Sequence, residues 1–377
     1  MTVAVIGAGL QGSLAAIELA RRGHDVVVFE RAMEPLSGAS RWNEGKIHLG
    51  YLFANDHSLR SARRLVDGAT RFAPLLSSYL ERDLDFMGRS DGFVYAVHRD
   101  SLLPATEIGA HLGRVHAMVS DALNERGRDY LGAPTVAAPT RLAATERGLD
   151  GEHITDAFDT QERSIDARGL AAAVGQRLAG DPGVRLLVGN EIARVERRDN
   201  GGFEIESATG ERHGPFVSVV NAAWEQRLRL DATLGYRPSA SWMHRFKLAL
   251  HVRMGARHAS LPSVTVVLGP FGDIVNFGGY QLYLSWYPIG RLGSSMEIAP
   301  PNMDRLVDTA RRDGVAGAIV GHLAAIVPAL SEIGLTNDNM QLEGGYIFAW
   351  GETDISDVQS GLHNRYDIGV HSDRGYH

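Results

Sequence analysis

At 377 residues the chain exceeds one ordinary domain, and at about 150 residues per domain it should hold two or three. Its 44% hydrophobic and 22% charged residues match ordinary globular proteins and exclude a disordered, a collagen-like or a multi-span membrane chain. A formal charge of -7 argues against a nucleic-acid partner, which calls for a basic face, and the absence of cysteine excludes disulfides, thiolate metal sites and cysteine nucleophiles.

The chain opens on an apolar run, Val3 to Ile6, with no basic stretch before it, as a secretory peptide would have. Ala316 to Leu330 is the longest apolar-looking stretch; it holds His322 and Pro328 and is too short to cross a bilayer. A soluble cytoplasmic protein without a membrane span is expected.

Thr2 to Ile6 reads as a strand buried on both faces of a parallel sheet. Gly7-Ala8-Gly9-Leu10-Gln11-Gly12 follows, then a helix to Arg22 whose Leu10, Leu14, Ile17 and Ala20 share one face. Gly23 ends that helix, and Asp25 to Phe29 is a second apolar strand closed by Glu30. Residues 37 to 56 form a loop, and a long amphipathic helix runs from about His57 to Leu80. Residues 81 to 160 give weaker signals: a strand at Gly92 to His98 and a helix between Pro104 and Leu123. A helix at Asp166 to Ala179 and a short strand at Val184 to Val188 come next. Glu191 to Arg197, Gly202 to Ser207 and Phe216 to Asn221 read as strands, the first two joined through Asn-Gly and the next step through Thr-Gly. Arg245 to Met254, Ser263 to Leu268, Asp273 to Phe277 and Gln281 to Tyr287 suggest an antiparallel sheet. One helix, Asn302 to about Ile326, leads to a glycine-rich tail over Gly344 to Gly375.

The order strand, glycine turn, helix, strand, acid is that of a βαβ dinucleotide-binding unit. Gly7 permits the tight turn, Gly9 lets a pyrophosphate approach the backbone, and Gly12 lets the helix pack on the sheet. The helix N-terminus attracts the phosphates, and Glu30, 18 residues beyond Gly12, accepts from ribose hydroxyls and repels a 2′-phosphate. NAD and FAD enzymes share this unit. No second G-x-G-x-x-G, no H-E-x-x-H, no G-x-S-x-G and no phosphate-binding G-x-x-x-x-G-K-[ST] occurs, and no metal site is expected.

The segment from Gly38 to Tyr51, with Asn43-Glu44-Gly45-Lys46-Ile47-His48-Leu49-Gly50 at its centre, resembles the FAD-dependent D-amino-acid oxidase superfamily. The nearest likeness is to its L-2-hydroxyglutarate dehydrogenase-like branch, which carries Asn-x-Gly-x-Ile-His-x-Gly after the first βαβ unit. Glu162 to Leu170 and Val219 to Trp224 agree with the same superfamily. The resemblance covers the first 80 residues and about 160 to 230. It implies an α/β fold, a Rossmann-type FAD-binding domain (1–80, 160–240 and 340–377) interleaved with an antiparallel-sheet substrate domain (81–159 and 241–339). It implies non-covalent FAD held by Gly7, Gly9, Leu10, Gln11 and Gly12 at the pyrophosphate and by Glu30 and Arg31 at the adenosine ribose. Ser40, Arg41, Asn43, Glu44 and Gly45 would follow the ribityl chain and pyrophosphate, Ile192 would meet adenine, and Ala222 and Ala223 would lie near the cofactor. Tyr366 to His377 resembles the opening of the glycine-rich segment that covers the flavin ring, and a longer natural chain is expected.

The activity so implied is oxidation of a CH–NH or CH–OH group of a small amino acid, amine or 2-hydroxy acid, with hydride passing to flavin N5 and electrons to oxygen or another acceptor. An alcohol needs a base, for which a neutral histidine suits best; an amine can arrive deprotonated. His48 is the first candidate base and His371 the second. A substrate carboxylate calls for an arginine fork, with Arg365, Arg374 and Arg245 as candidates. The alternatives are an NAD-dependent dehydrogenase, a flavin-dependent mutase or isomerase without net redox, and a flavin-binding structural or regulatory partner.

Overall fold

The computed structural model describes residues 1–255, 258–351, 354–366 and 369–377, apart from the side chains of residues 304, 305 and 312. β1 (Thr2–Ile6), α1 (Leu10–Arg21) and β2 (Asp25–Phe29) form the opening unit. Further along come α2 (Arg60–Leu80), β3 (Phe93–His98), α3 (Ala105–Leu123), β4 (Thr140–Leu142) and β5 (Ile154–Asp159). Then α4 (Ala167–Ala179) and β6 (Val184–Leu187) precede a meander of β7 (Ile192–Arg197), β8 (Phe203–Ser207) and β9 (Arg212–Phe216). β10 (Ser218–Asn221) and α5 (Arg227–Thr233) lead to β11 (Trp242–Arg253), β12 (Ser263–Val267), β13 (Gly272–Phe277) and β14 (Gln281–Trp286). The last elements are α6 (Tyr287–Gly290), β15 (Arg291–Ser295), α7 (Asp304–Arg312), α8 (Val315–Ala324) and β16 (Met340–Trp350).

Two sheets carry the architecture. The first is parallel, in the order β10-β1-β2-β6, and its strands are apolar because helices cover it. The end of the chain runs beside β10: Val219 donates to Gly375 O at 2.9 Å and His377 donates to Val219 O at 2.9 Å. The second sheet has nine strands, ordered β15-β11-β14-β13-β12-β3-β5-β4, with β16 paired to β11. Strand alternation sends Val94 and Ala96 of β3 and Leu248, Leu250 and Val252 of β11 into a core shared with α7 and α8. Phe93, Tyr95 and Val97 of β3 and Ala249 of β11 face the other way, into a core shared with α2, α3 and α4.

Several sequence expectations change here. The helix expected over 302–326 is two helices, because Gly314 takes φ +74° between them. The expected tail beginning at Gly344 starts as strand: β16 pairs with β11 from Trp242↔Trp350 to Val252↔Met340. Its two glycines have a packing reason, since a Cβ on Gly345 would sit 3.0 Å from the Ala39 Cβ and one on Gly344 would sit 2.6 Å from Lys247 O. β9 was hidden by its Gly214-Pro215, and β4 and β5 by low apolar alternation. Among the described residues no helix is long and apolar enough to cross a membrane.

The 38–51 loop lies between the two sheets. Gly45, at φ +67°, lets the loop close on the 163–165 segment: Ile165 donates to Gly45 O at 3.0 Å and Ile47 donates to Arg163 O at 3.0 Å. A Cβ at Gly45 would lie 2.0 Å from Ile165 O, so no other residue fits. One residue later the Lys46 side chain, fully buried, reaches the nine-stranded sheet, donating to Asp273 Oδ1 at 2.9 Å and to Thr265 Oγ1. Leaving one member of a buried pair uncompensated costs about 3–5 kcal/mol. Asp273→Asn should therefore lower stability by roughly that amount in denaturant unfolding, and adding Lys46→Met should recover much of the loss. An unchanged unfolding midpoint in Asp273→Asn would show that the pair does not hold the loop.

Candidate active site

At the end of β1, Gly7 has φ +97°, and a Cβ there would lie 2.6 Å from Ala222 O. A Cβ on Gly12 would lie 2.0 Å from Gly7 O, which is why helix and turn pack only with glycine at both places. At Gly9 a Cβ would meet Ser40 Oγ at 3.3 Å, and that hydroxyl accepts from the Leu10 amide at 2.9 Å. Gly9 gives α1 no side-chain cap hydrogen bond, and a helix N-terminus after such a turn is where a pyrophosphate binds in folds of this kind. Glu30 is fixed at the tip of β2: Ala8 N–H donates to one oxygen at 2.7 Å and Ala32 N–H to the other at 2.8 Å. Each oxygen keeps a further lone pair for a ribose hydroxyl. Glycine turn, helix terminus and anchored acid fit FAD.

The remaining nucleotide candidates are distributed around this cradle. Arg31 pairs with Glu225, and Arg41 lies 3.4 Å from Glu34. Asn43 shapes its own loop, donating to Ala39 O at 2.9 Å and accepting from Gly45 N–H at 2.8 Å. Ala222 and Ala223 back onto Gly7. Ile192 is buried at the start of β7, its carbonyl taken by Arg229 at 2.8 Å.

Beyond Asn43 the loop carries alternating charge. His48 stands 3.6 Å from Glu44 through Nε2 and 3.6 Å from Glu162 through Nδ1, distances of charge attraction rather than hydrogen bonding. Burial alone would lower the His48 pKa, but the carboxylates of Glu162 and Glu44 outweigh it and hold the imidazole up at about 9. Glu162 is itself wholly buried and accepts from Leu49 N–H at 2.5 Å and from the Tyr95 hydroxyl at 2.5 Å. Burial would raise Glu162, yet His48, Lys46 and Tyr95 keep it below the usual carboxylate range. Glu44 is likewise depressed, its burial overcome chiefly by Lys46. Lys46 stays charged because Asp273 and Glu44 outweigh its desolvation.

The sheet face opposite this loop is polar where a sheet covered on both sides would be apolar. His251 packs edge-on to Trp42 with ring centroids 5.7 Å apart, and Lys247 adds to the field on Glu44. Arg245, only 2% exposed, donates to the Tyr287 hydroxyl at 2.6 Å, and its Nε has no partner. The Arg365 pKa is pushed down to about 10, first by burial and then by the charge of Arg245. Among the described residues no carboxylate lies within 4.0 Å of either guanidinium. Arg365 thus feels the charge of Arg245, whereas Arg374 lies on an exposed turn paired with Asp373 at 3.3 Å. His371 is exposed on the tail, and Asp367 and Ile368 of that tail lie outside the described residues. Sequence reasoning gave no role to Lys46, Glu162, Tyr95 or Asp273, which stand in no local pattern that marks them as buried.

A Rossmann-type parallel sheet, a nucleotide cradle and a second sheet that is antiparallel except where β12 pairs in parallel with β3 define an FAD-binding oxidoreductase fold. A family model described as FAD dependent oxidoreductase, DAO, matches residues 2–333, and the chain belongs to that family. Glycine oxidase from Geobacillus kaustophilus is similar in structure, with TM-score 0.68 and 20% identity, over 99% of this chain and 87% of that one. L-proline dehydrogenase from P. horikoshii gives TM-score 0.61 at 16% identity over 92% of this chain and 80% of that one. In sequence, kynurenine 3-monooxygenase from Salinispora tropica is 31% identical over 187 residues, 46% of this chain and 40% of the relative's own length.

His48 gives a pH dependence with a definite sign. Its pKa is raised from 6.5 to about 9 on folding, so the stabilisation is complete below about pH 6.5 and is lost as pH rises through about 9. The imidazole should remain protonated in NMR titration at pH 7.5, and His48→Gln should flatten the loss of stability between pH 7 and 9. A His48 titrating near 6.5 would refute the arrangement. At the other end of the site, Glu30→Ala should weaken FAD retention about tenfold or more, read from flavin in the filtrate.

Proposed function

We propose that the protein oxidises the Cα–N bond of a small amino acid, with FAD accepting a hydride at N5. The carrying observation is Arg245, a buried guanidinium aligned by Tyr287 and lacking a carboxylate partner among the described residues. A buried charge without a counter-ion is expensive, and a substrate carboxylate supplies one in the bidentate geometry that arginine favours. Bound there, the substrate lies against the sheet face that looks towards the 38–51 loop.

FAD, when bound, would supply the electron-accepting ring for this oxidation, with oxygen or another acceptor as the final oxidant. Its proposed contacts are the cradle of Gly7, Gly9, Leu10, Gln11 and Gly12, with Glu30 and Arg31 at the ribose. Ser40, Arg41, Asn43, Glu44, Gly45, Ile192, Ala222 and Ala223 complete the set. The parallel sheet with its meander forms the nucleotide domain in this reading, and the nine-stranded sheet forms the substrate domain.

The charge on His48 favours an amine over an alcohol. Alcohol oxidation needs a proton acceptor near the hydroxyl, and an imidazole held protonated up to about pH 9 is a poor one. An amine that arrives neutral needs no such base. His48 then acts as a fixed positive charge in the loop. A 2-hydroxy acid is the second reading, supported by the likeness of Asn43 to Gly50 to the L-2-hydroxyglutarate dehydrogenase-like branch. Glycine oxidase and L-proline dehydrogenase among the similar structures support the amino-acid reading.

The test is anaerobic titration of the FAD-loaded protein with panels of amino acids and of 2-hydroxy acids, following bleaching of the flavin bands. Bleaching by amino acids is expected, and Arg245→Gln should raise the KM about 100-fold or more with a smaller effect on kcat. Bleaching by hydroxy acids alone would overturn the amine reading. A chain that takes up no FAD would favour the NAD alternative, and a tightly held flavin reduced by no substrate would favour a structural or regulatory role.

A further inference from the structure

Glu162 has no exposed surface, and its carboxylate meets the cofactor loop at two points. One oxygen accepts from Leu49 N–H, the amide directly after His48, at 2.5 Å. The other accepts from the Tyr95 hydroxyl at 2.5 Å and stands 3.6 Å from His48 Nδ1, a buried nitrogen with no hydrogen bond of its own. The main chain fixes the acid there: Phe93 donates to Glu162 O at 3.0 Å, and Ile47 donates to Arg163 O at 3.0 Å. Glu162 is thereby held between β3 and the loop.

The two carboxylates beside His48 are not equivalent. Glu44, 3.6 Å from Nε2, keeps 21% of its side chain exposed and shares its charge with Lys46 at 3.9 Å and with Lys247 of β11. For Glu162, His48 is the one cationic side chain within 4.0 Å among the described residues. A buried carboxylate held by neutral donors alone is costly, so the ionised acid and the protonated ring stabilise each other. Lys46, itself answered by Asp273 of β13, is the cation that opposes charge on the ring, and the two acids outweigh both it and burial to hold the imidazole at about 9.

Oxidation of a 2-hydroxy acid breaks two bonds. The Cα hydrogen leaves as hydride to the oxidised flavin, the O–H proton goes to a base, and a 2-keto acid remains. A neutral amine gives up the hydride alone and becomes an iminium ion. We infer that Glu162 is a positioning residue that sets the substrate class: by fixing the Leu49 amide and pairing with the His48 ring, it keeps His48 from serving as the base an alcohol needs and leaves the site to amines. This rests on the amine reading above and names the residue that decides it.

The experiment measures anaerobic bleaching of the FAD-loaded protein by matched pairs that differ only in the group on Cα: glycine with glycolate, alanine with lactate, glutamate with 2-hydroxyglutarate. At pH 7.5 Glu162→Gln should raise the ratio of hydroxy-acid to amino-acid bleaching rates about 100-fold, the size of a general-base contribution. In the same variant the NMR titration of His48 should fall towards neutrality. Glu162→Asp, which keeps the charge, should return the ratio most of the way, and His48→Gln added to Glu162→Gln should remove the new hydroxy-acid bleaching. The unsubstituted protein gives an answer even if Glu162→Gln does not fold. Hydroxy acids should bleach its flavin only as pH rises through about 9, where His48 loses its proton, and His48→Gln should lack that rise.

An unchanged ratio in a Glu162→Gln protein whose His48 titrates near neutrality would overturn the inference. So would a His48 still charged at pH 9 in that variant, or a hydroxy-acid response in the unsubstituted protein that stays flat after His48 has titrated. In each of these cases bleaching by amino acids leaves the amine reading standing and removes only the role of Glu162. Bleaching of the unsubstituted protein by hydroxy acids alone at pH 7.5 overturns the amine reading and the inference with it.

Discussion

A lysine ammonium with a fully buried side chain sits at the join of the two layers of this protein, and the site depends on how it is compensated. Lys46 leaves a loop whose backbone is clamped at Gly45, and its charge ends on Asp273 and Thr265 of the facing sheet. A buried charge without partners would cost far more than the loop could tolerate, so loop and sheet must come together in this register. The same requirement brings Glu44 within 3.9 Å of the ammonium. From there the alternation of sign runs through His48 to Glu162 and Tyr95.

That chain of charges decides the chemistry open to the site. In a dry setting each charge fixes the protonation of the next, which is why His48 is held as a cation rather than left free to titrate near neutrality. The polar sheet face follows from the same cause. Arg245, Lys247 and His251 alternate on β11 with Phe246, Leu248 and Leu250, which fill the core on the other side. One strand therefore serves packing with one set of residues and recognition with the other, and its two faces cannot exchange roles without a shift of register.

How much of this was legible in the sequence depended on distance along the chain. The opening unit was readable because its glycines, helix and acid act within 30 residues of one another, and spacing alone places them. The resemblance of Asn43 to Gly50 carried the family and the cofactor. The buried ion pair was not readable, since Lys46 and Asp273 are 227 residues apart and neither stands in a local pattern. Glu162 and Tyr95, 67 residues apart, meet only through the pairing of segments around them. The three arginine candidates looked alike as residue types. What separates them is environment: Arg374 is exposed beside its own acid, whereas Arg245 is buried with a tyrosine. The split at Gly314 was missed because a glycine inside an apolar helical pattern reads as tolerated until its φ is known.

The central claim is that Arg245 and Tyr287 hold a substrate carboxylate on the sheet face that looks towards the cofactor loop. The most direct measurement is a crystal structure of the FAD-loaded protein with propionate, an unreactive carboxylate. The account requires the carboxylate within hydrogen-bond distance of the Arg245 guanidinium and the Tyr287 hydroxyl, with its carbon chain directed to the flavin ring. Propionate bound elsewhere, or Arg245 found paired with an acid of its own chain, would contradict it.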